Sequence, residues 1–233
     1  IYELKSQVLS LGSKTPPPKP QLDKLRDLYQ NGQYYDAENL AISITQQFPG
    51  HQLSWKVLGL IFMHSRKSLS SVIANKKAIL LIPDDFETYN NLGLTLRNLD
   101  RIYEARKSFE RSIFLNNTFA NSYFNIANTF YSLGNNDAAI LNYTKAINLN
   151  PKYFEAFNNL ANVLNRKGNF RVAVSHYETA IKLNPSFYEA EKNLISCLTY
   201  HTPKKKSSNP LTELDKKIKC VKINFTPGLL ISD

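Results

Sequence analysis

Asn91, Asn125, Asn159 and Asn193 recur at one constant interval. A carboxamide offers a donor and an acceptor on one short side chain, as does every peptide unit. A row of carboxamides at fixed spacing is therefore equipped to hold another polypeptide by its main chain, with little regard for its side chains. Residues for covalent chemistry show no comparable arrangement. His51, His64, His176 and His201 lack metal-ligand spacing. The sequence contains no glycine-rich phosphate loop, nucleophile elbow or paired-carboxylate cluster. The chain as given reads as non-catalytic, with neither metal nor cofactor implied.

Such a row needs a repeating element to carry it. Residues 154–187 contain Phe157, Leu160, Ala161 and Leu164, at the i, i+3, i+4, i+7 spacing of one helix face. Gly168 marks a turn, a second helix carries Ala173, Tyr177 and Ala180, and Pro185 closes the unit. The same frame one interval earlier holds Tyr123, Ile126, Ala127, Phe130, Gly134, Ala139, Tyr143, Ala146 and Pro151. A further step back gives Tyr89, Leu92, Gly93, Leu96, Ala105, Phe109 and Ser112. Small residues recur where two helices must approach closely, and aromatic ones fill the space beside them.

With this frame and a period of about 34 residues, the segment 18–200 resembles the tetratricopeptide repeat family. The resemblance implies an all-α fold, a right-handed α–α superhelix of about five helix-turn-helix repeats. A final helix with Leu194, Ile195 and Leu198 would cap it. The repeats at 86–119, 120–153 and 154–187 match well, while two upstream diverge. In 52–85, Ser71 and Asn75 replace the usual small and aromatic residues. In 18–51, Gln21 and Leu25 do not fit. Asn117 stands where proline is expected, so that junction is expected to run differently.

On a helical wheel Asn121, Asn125, Asn128 and Ser132 fall opposite the core stripe of their helix. Glu155, Asn159, Asn162 and Arg166 occupy the same face one repeat on, with Glu189, Asn193, Ser196 and Tyr200 in the cap. One repeat earlier stand Glu87, Asn91, Leu94 and Asn98. In a tetratricopeptide superhelix these faces line the concave surface. The row resembles the asparagine ladder in the superhelical domain of O-linked N-acetylglucosamine transferases, which grips protein substrates. Val57 takes the position one repeat before Asn91, so the row is short. Candidate peptide-binding residues are Asn91, Asn125, Asn128, Asn159, Asn162 and Asn193. Phe124, Tyr131 and Tyr200 would add apolar contact, and Arg97 and Arg166 would favour acidic residues. Two structural readings compete. The asparagines are inherited from a common ancestral repeat, or each bonds the adjacent repeat and sets superhelical pitch. Drift at Asn90, Phe124, Asn158 and Lys192, read as exposed neighbours, argues against inheritance. A carboxylate clamp of the chaperone-docking type is discounted: Lys56 and Asn91 imitate part of it, but its other cations are missing.

Net charge is +10, with +2 on residues 1–20, +4 on 201–233 and only +4 on the repeats between. No basic stripe marks a phosphate-tracking groove, so nucleic acid is not an expected partner. No apolar run is long enough to span a membrane. Two cysteines, Cys197 and Cys220, argue against a disulfide framework and for a reducing, cytoplasmic setting. Residues 1–17 read as an N-terminal segment with a proline-rich linker. Residues 201–233 read as a basic linker through Lys204, Lys205 and Lys206, then a short helix. Val221, Ile223 and Phe225 come next with strand-like alternation. This segment is either the threshold of a further domain or a tail folding back on the last repeat. The first option gives an alternative function: the substrate-recruiting N-terminal part of a larger glycosyltransferase, sulfotransferase or oxygenase.

Overall fold

The structure, a computed structural model, describes residues 15–201. Expectations for residues 1–14 and 202–233, including the strand at 221–225, lie outside the described residues. Eleven helices and no strands occur among the described residues. They are α1 (Lys19–Gln30), α2 (Tyr34–Gln47), α3 (Gln52–His64), α4 (Ser68–Leu81), α5 (Phe86–Asn98) and α6 (Ile102–Leu115). They continue with α7 (Ala120–Ser132), α8 (Asn136–Leu149), α9 (Phe154–Arg166), α10 (Phe170–Leu183) and α11 (Tyr188–His201). The chain divides into two compact units between Thr129 and Phe130, within α7.

In the first unit α1 packs on α2, α3 on α4 and α5 on α6, while α2 and α4 also pack on the first helix of the next pair. In the second unit α9 packs on α10, and α8 and α10 each pack on the next first helix. Helix α11 covers α10 with Ala190, Leu194, Cys197 and Leu198, all buried.

Each helix pair closes over a contact between one small and one large residue. A Cβ added to Gly93 would sit 2.5 Å from the buried Phe109 ring, so only glycine permits that approach. At the matching positions Gly59 faces the side chain of Asn75, while Ala161 and Tyr177 are both buried. The pairing inverts in the first repeat, where Leu25 shares a core cluster with Ala41. Leu25, expected as a misfit, is thus a core residue: bulk moved from one helix to the other, and the space between them stays filled. Asn75 is accommodated by donating from Nδ2 to the Ser71 carbonyl at 2.9 Å. Ser71 in turn donates to the Gly59 carbonyl at 2.7 Å and bonds Thr95 at 2.9 Å. Asn75 Oδ1 is buried without a hydrogen-bond partner.

First helices α1, α3, α5, α7 and α9 stop in one way. The residue equivalent to Gly32 has positive φ in every repeat: Gly32 (70°), Arg66 (58°), Asp100 (58°), Gly134 (76°) and Gly168 (83°). The next residue's N–H reaches back along the helix, as from Asn135 to the Phe130 carbonyl at 2.9 Å and from Lys67 to Phe62 at 2.7 Å. This left-handed stop satisfies carbonyls that the helix end would otherwise orphan.

Second helices α6, α8 and α10 also exit alike. Asn116, Asn150 and Asn184 each accept a backbone N–H two residues on, at 3.0, 3.1 and 3.1 Å. The junction at Asn117 therefore runs like those with Pro151 and Pro185, contrary to expectation. An asparagine turn fixes the same exit without proline.

Arg66 and Asp100 are exposed, so replacing them removes only backbone strain. Arg66→Gly is expected to raise unfolding free energy by about 0.5–1 kcal/mol, and Asp100→Gly by less, because aspartate tolerates this region better. Urea denaturation midpoints check this, and an unchanged midpoint for Arg66→Gly counts against it.

Candidate functional site

In the first unit the row begins on α5 and α7. Asn91 is half-buried, with Arg97 half-buried in the last turn of α5. On α7, Phe124 and Asn128 are half-buried and Asn125 is buried. The wheel places Asn125 in solvent; instead its Nδ2 donates to Asn90 Oδ1 at 2.9 Å. Asn90, expected to be exposed, is only 5% accessible, and its oxygen also lies 3.4 Å from the Ser122 hydroxyl. Ser122 continues to Ser112, which donates to the Phe86 carbonyl at 2.7 Å. The wheel misplaces these residues because it considers one helix with one buried face. First helices of successive repeats lie side by side, as α3 against α5 and α9 against α11. The flanks of the core stripe are then covered as well.

The second unit repeats the link. Asn193 on α11 donates from Nδ2 to Asn158 Oδ1 on α9 at 3.0 Å. Asn158, expected in solvent, is fully buried, and its own Nδ2 donates to Asn159 Oδ1 at 3.1 Å. Asn162 is turned toward its partner helix, accepting from the Tyr177 hydroxyl at 2.7 Å. Burial raises the Tyr177 phenol above its ordinary range. Cys197, also buried, donates to Asn165 Oδ1 at 3.3 Å, and burial pushes its thiol pKa up. That thiol is a packed side chain, not a nucleophile.

What faces water differs from the amides. Arg166 is exposed at the end of α9, its guanidinium 5.6 Å from the centroid of the Tyr131 ring. Such stacking holds the cation in place while its N–H edge stays available to an acidic group. Tyr200 is 81% accessible on α11.

The inter-repeat amide bonds connect one particular pair of columns. The donor comes from the Asn91–Asn193 row, and the acceptor from the column one residue earlier in the preceding repeat. That column reads Lys56, Asn90, Phe124, Asn158 and Lys192. Its alternation is the available sequence signal, and it is lost when both columns are assigned to solvent.

Lys56, the one cation that resembled a clamp, is occupied. Its ammonium bonds both Asp85 carboxylate oxygens, at 3.2 and 3.0 Å, and also Glu87. Asp85 caps α5, accepting from the N–H groups of Glu87 and Thr88 at 3.1 and 3.3 Å. Gln52 Nε2 donates to it at 2.6 Å and the Thr88 hydroxyl at 2.8 Å. Burial alone would raise the Asp85 pKa, but the hydrogen bonds from Thr88, Lys56 and Gln52, with the Lys56 charge, hold it below the ordinary range.

No group of three or more histidine, cysteine, aspartate or glutamate residues is placed to hold a metal among the described residues. No described helix is long and apolar enough to cross a membrane.

Two family models match within the chain. The model described as "Tetratricopeptide repeat" covers residues 86–118 and 154–187, and "TPR repeat" covers 127–168. The chain thus carries tetratricopeptide repeats over these residues. No curated protein matches the sequence. Among solved structures, the chain is similar to PilF of Pseudomonas aeruginosa, with TM-score 0.74 and 12% identity over 94% of this chain and 91% of that one. It is similar to MamA, with TM-score 0.62 and 22% identity over 70% and 95%. It is also similar to YrrB, described as a TPR protein with an unusual peptide-binding site, with TM-score 0.60 and 16% identity over 83% and 98%. At these identities the likeness is one of fold.

The bonding implies two outcomes. Asn125→Ala leaves the buried Asn90 oxygen with only the longer bond from Ser122 and is expected to cost about 1–2 kcal/mol of stability; an unaltered urea midpoint would contradict the inter-repeat link. Asp85→Ala should cost about 1–2 kcal/mol at neutral pH through the lost cap. Because the folded pKa is depressed, this contribution is complete above the unfolded value of about 4 and fades as pH falls through the folded one. Paired urea melts from pH 7 downward should converge. A gap that persists at the acid end would assign the loss to packing.

Proposed function

We propose that this chain is a non-catalytic scaffold that binds an extended polypeptide along the faces of its first helices. The supporting observation is that successive first helices hold carboxamides in fixed directions. Asn125 is set by Asn90 and Asn193 by Asn158. Each link uses one donor and one acceptor of groups that carry more. An amide whose orientation is already set loses little freedom when a peptide bonds to it, which favours binding. The structural and binding roles of the row are therefore compatible: the link between repeats sets Asn193, and the bond from Asn158 sets Asn159, beside the exposed side chains.

In this reading the half-buried Asn91, Asn128, Asn159 and Asn193 supply the main-chain contacts, while the buried Asn125 and Asn162, which accepts from Tyr177, hold the helices that carry them. Phe124, Tyr131 and Tyr200 supply apolar area. Arg166, stacked on Tyr131, and Arg97 select acidic side chains. YrrB, a protein of similar fold, is described as having a peptide-binding site, in line with the same use here.

A library of acetylated and amidated nine-residue peptides, applied to the immobilised full chain, tests the proposal. Retained peptides should be enriched in Asp and Glu. Arg166→Ala with Tyr200→Ala should weaken their binding by about tenfold or more, on the scale of one charge-assisted hydrogen bond with its stacking area. Any loss of stability should stay within about 1 kcal/mol, the scale of the exposed Arg166–Tyr131 stack. Retention unaffected by the pair of substitutions would remove Arg166 and Tyr200 from the site, and no retention at all would end the scaffold reading for peptides.

A further inference from the structure

The first two repeats carry a feature that the amide row does not include. Leu22, Leu25 and Tyr29 from α1, with Leu53 and Val57 from α3, line most of an open hollow of about 260 Å³ in the first unit, and Asp23, Arg26 and Ser54 complete its wall. A cavity of roughly 150 Å³ already holds a benzene ring, so this one admits a bulky side chain. Leu53 is 49% accessible, an apolar residue on a first-helix face. Val57 stands one repeat before Asn91, at the same position of its helix, and Leu53 stands one repeat before Glu87. Helix α3 packs directly on α5. The hollow thus continues the face that carries the carboxamides and changes it from polar to apolar.

The cations around the hollow are already paired, each with two carboxylates. Arg26 pairs with Asp23 at 3.0 Å and Asp27 at 3.6 Å. The Lys56 ammonium, on the residue next to Val57, is held by Asp85 and Glu87. A charged occupant would lose its hydration and meet counterions already committed, whereas a neutral apolar one loses nothing of the kind.

We propose that this hollow is an anchor subsite for one bulky aliphatic side chain of the extended peptide bound on the same face. The inference rests on the proposed scaffold function and adds a selectivity to it. The amides hold the main chain, and the hollow sets where along that chain an apolar residue must stand.

The same peptide library, with each position fixed in turn, is the test. Leu, Ile or Met should be favoured over Asp or Lys at one position by about tenfold or more, the scale of burying one aliphatic side chain. Leu53→Asp, at an exposed position, and Val57→Asn, which restores the residue type of the row, should each abolish that preference. Both should still retain acidic peptides. Retention with no apolar preference, or a preference that survives both substitutions, would overturn the subsite alone. No retention by the unaltered chain would overturn it together with the scaffold function. Sedimentation as a dimer that Leu53→Asp converts to a monomer would instead give the hollow to a second copy. Apolar-peptide affinity rising when residues 1–14 are deleted would give it to the chain's own N-terminus. Either result defeats the proposal.

Discussion

Gly93 against Phe109 is the contact on which the architecture depends. Two helices joined by a short turn can share a core only if one contributes bulk where the other contributes none. Because a Cβ on Gly93 would reach 2.5 Å from the ring, the pair has no slack. A single helix pair buries too little to stand alone, so each also lies against its successor within a unit. Positions on either side of this contact then become buried, and the polar groups there need partners. The inter-repeat amides, the serine chain through Ser112 and Ser122, and the capping hub at Asp85 all answer that need.

Polar burial is costly unless paired, and the chain handles it differently from repeat to repeat. Asn90 and Asn158 accept from the next first helix, while Lys56 at the equivalent position turns to carboxylates. Phe124 has no amide at all and is only half-buried. Asn75 stands where the next repeat has Phe109, and its oxygen is left without a partner. The second repeat therefore holds its small-large contact through hydrogen bonds where the third holds it by aromatic packing. The same geometry is reached with different chemistry.

The period and the spacing of Leu160, Ala161 and Leu164 make the helices and their pairing legible, because both follow from contacts within a single repeat. Leu25 reads as a misfit because its compensation, Ala41, lies on another helix, and volume is conserved across the pair, not at the position. Asn117 misleads for a related reason, since Asn116 shapes the exit expected of proline. Of the candidate site, Arg166 beside Tyr131 and the exposed Tyr200 agree with a solvent face. Asn125 does not, because its surroundings come from α5, and no wheel drawn on one helix contains the neighbouring repeat. Asn90 and Asn158 escape notice with it, each being half of a bond whose other half lies a whole repeat away.

The amide link has a direction. A repeat with asparagine at the earlier column presents a socket to its successor, and one with asparagine at the later column presents a plug to its predecessor. Repeat 86–119 has both, since Asn90 receives and Asn91 can insert. Repeat 120–153 has a plug in Asn125 but, with Phe124, no socket. Excising 86–119 would bring Asn125 to Lys56, an ammonium that only donates, so the Asn125 Nδ2 would find no acceptor there. Repeats of equal length and fold are therefore not interchangeable parts. Their order in this chain carries information that their shared outline does not.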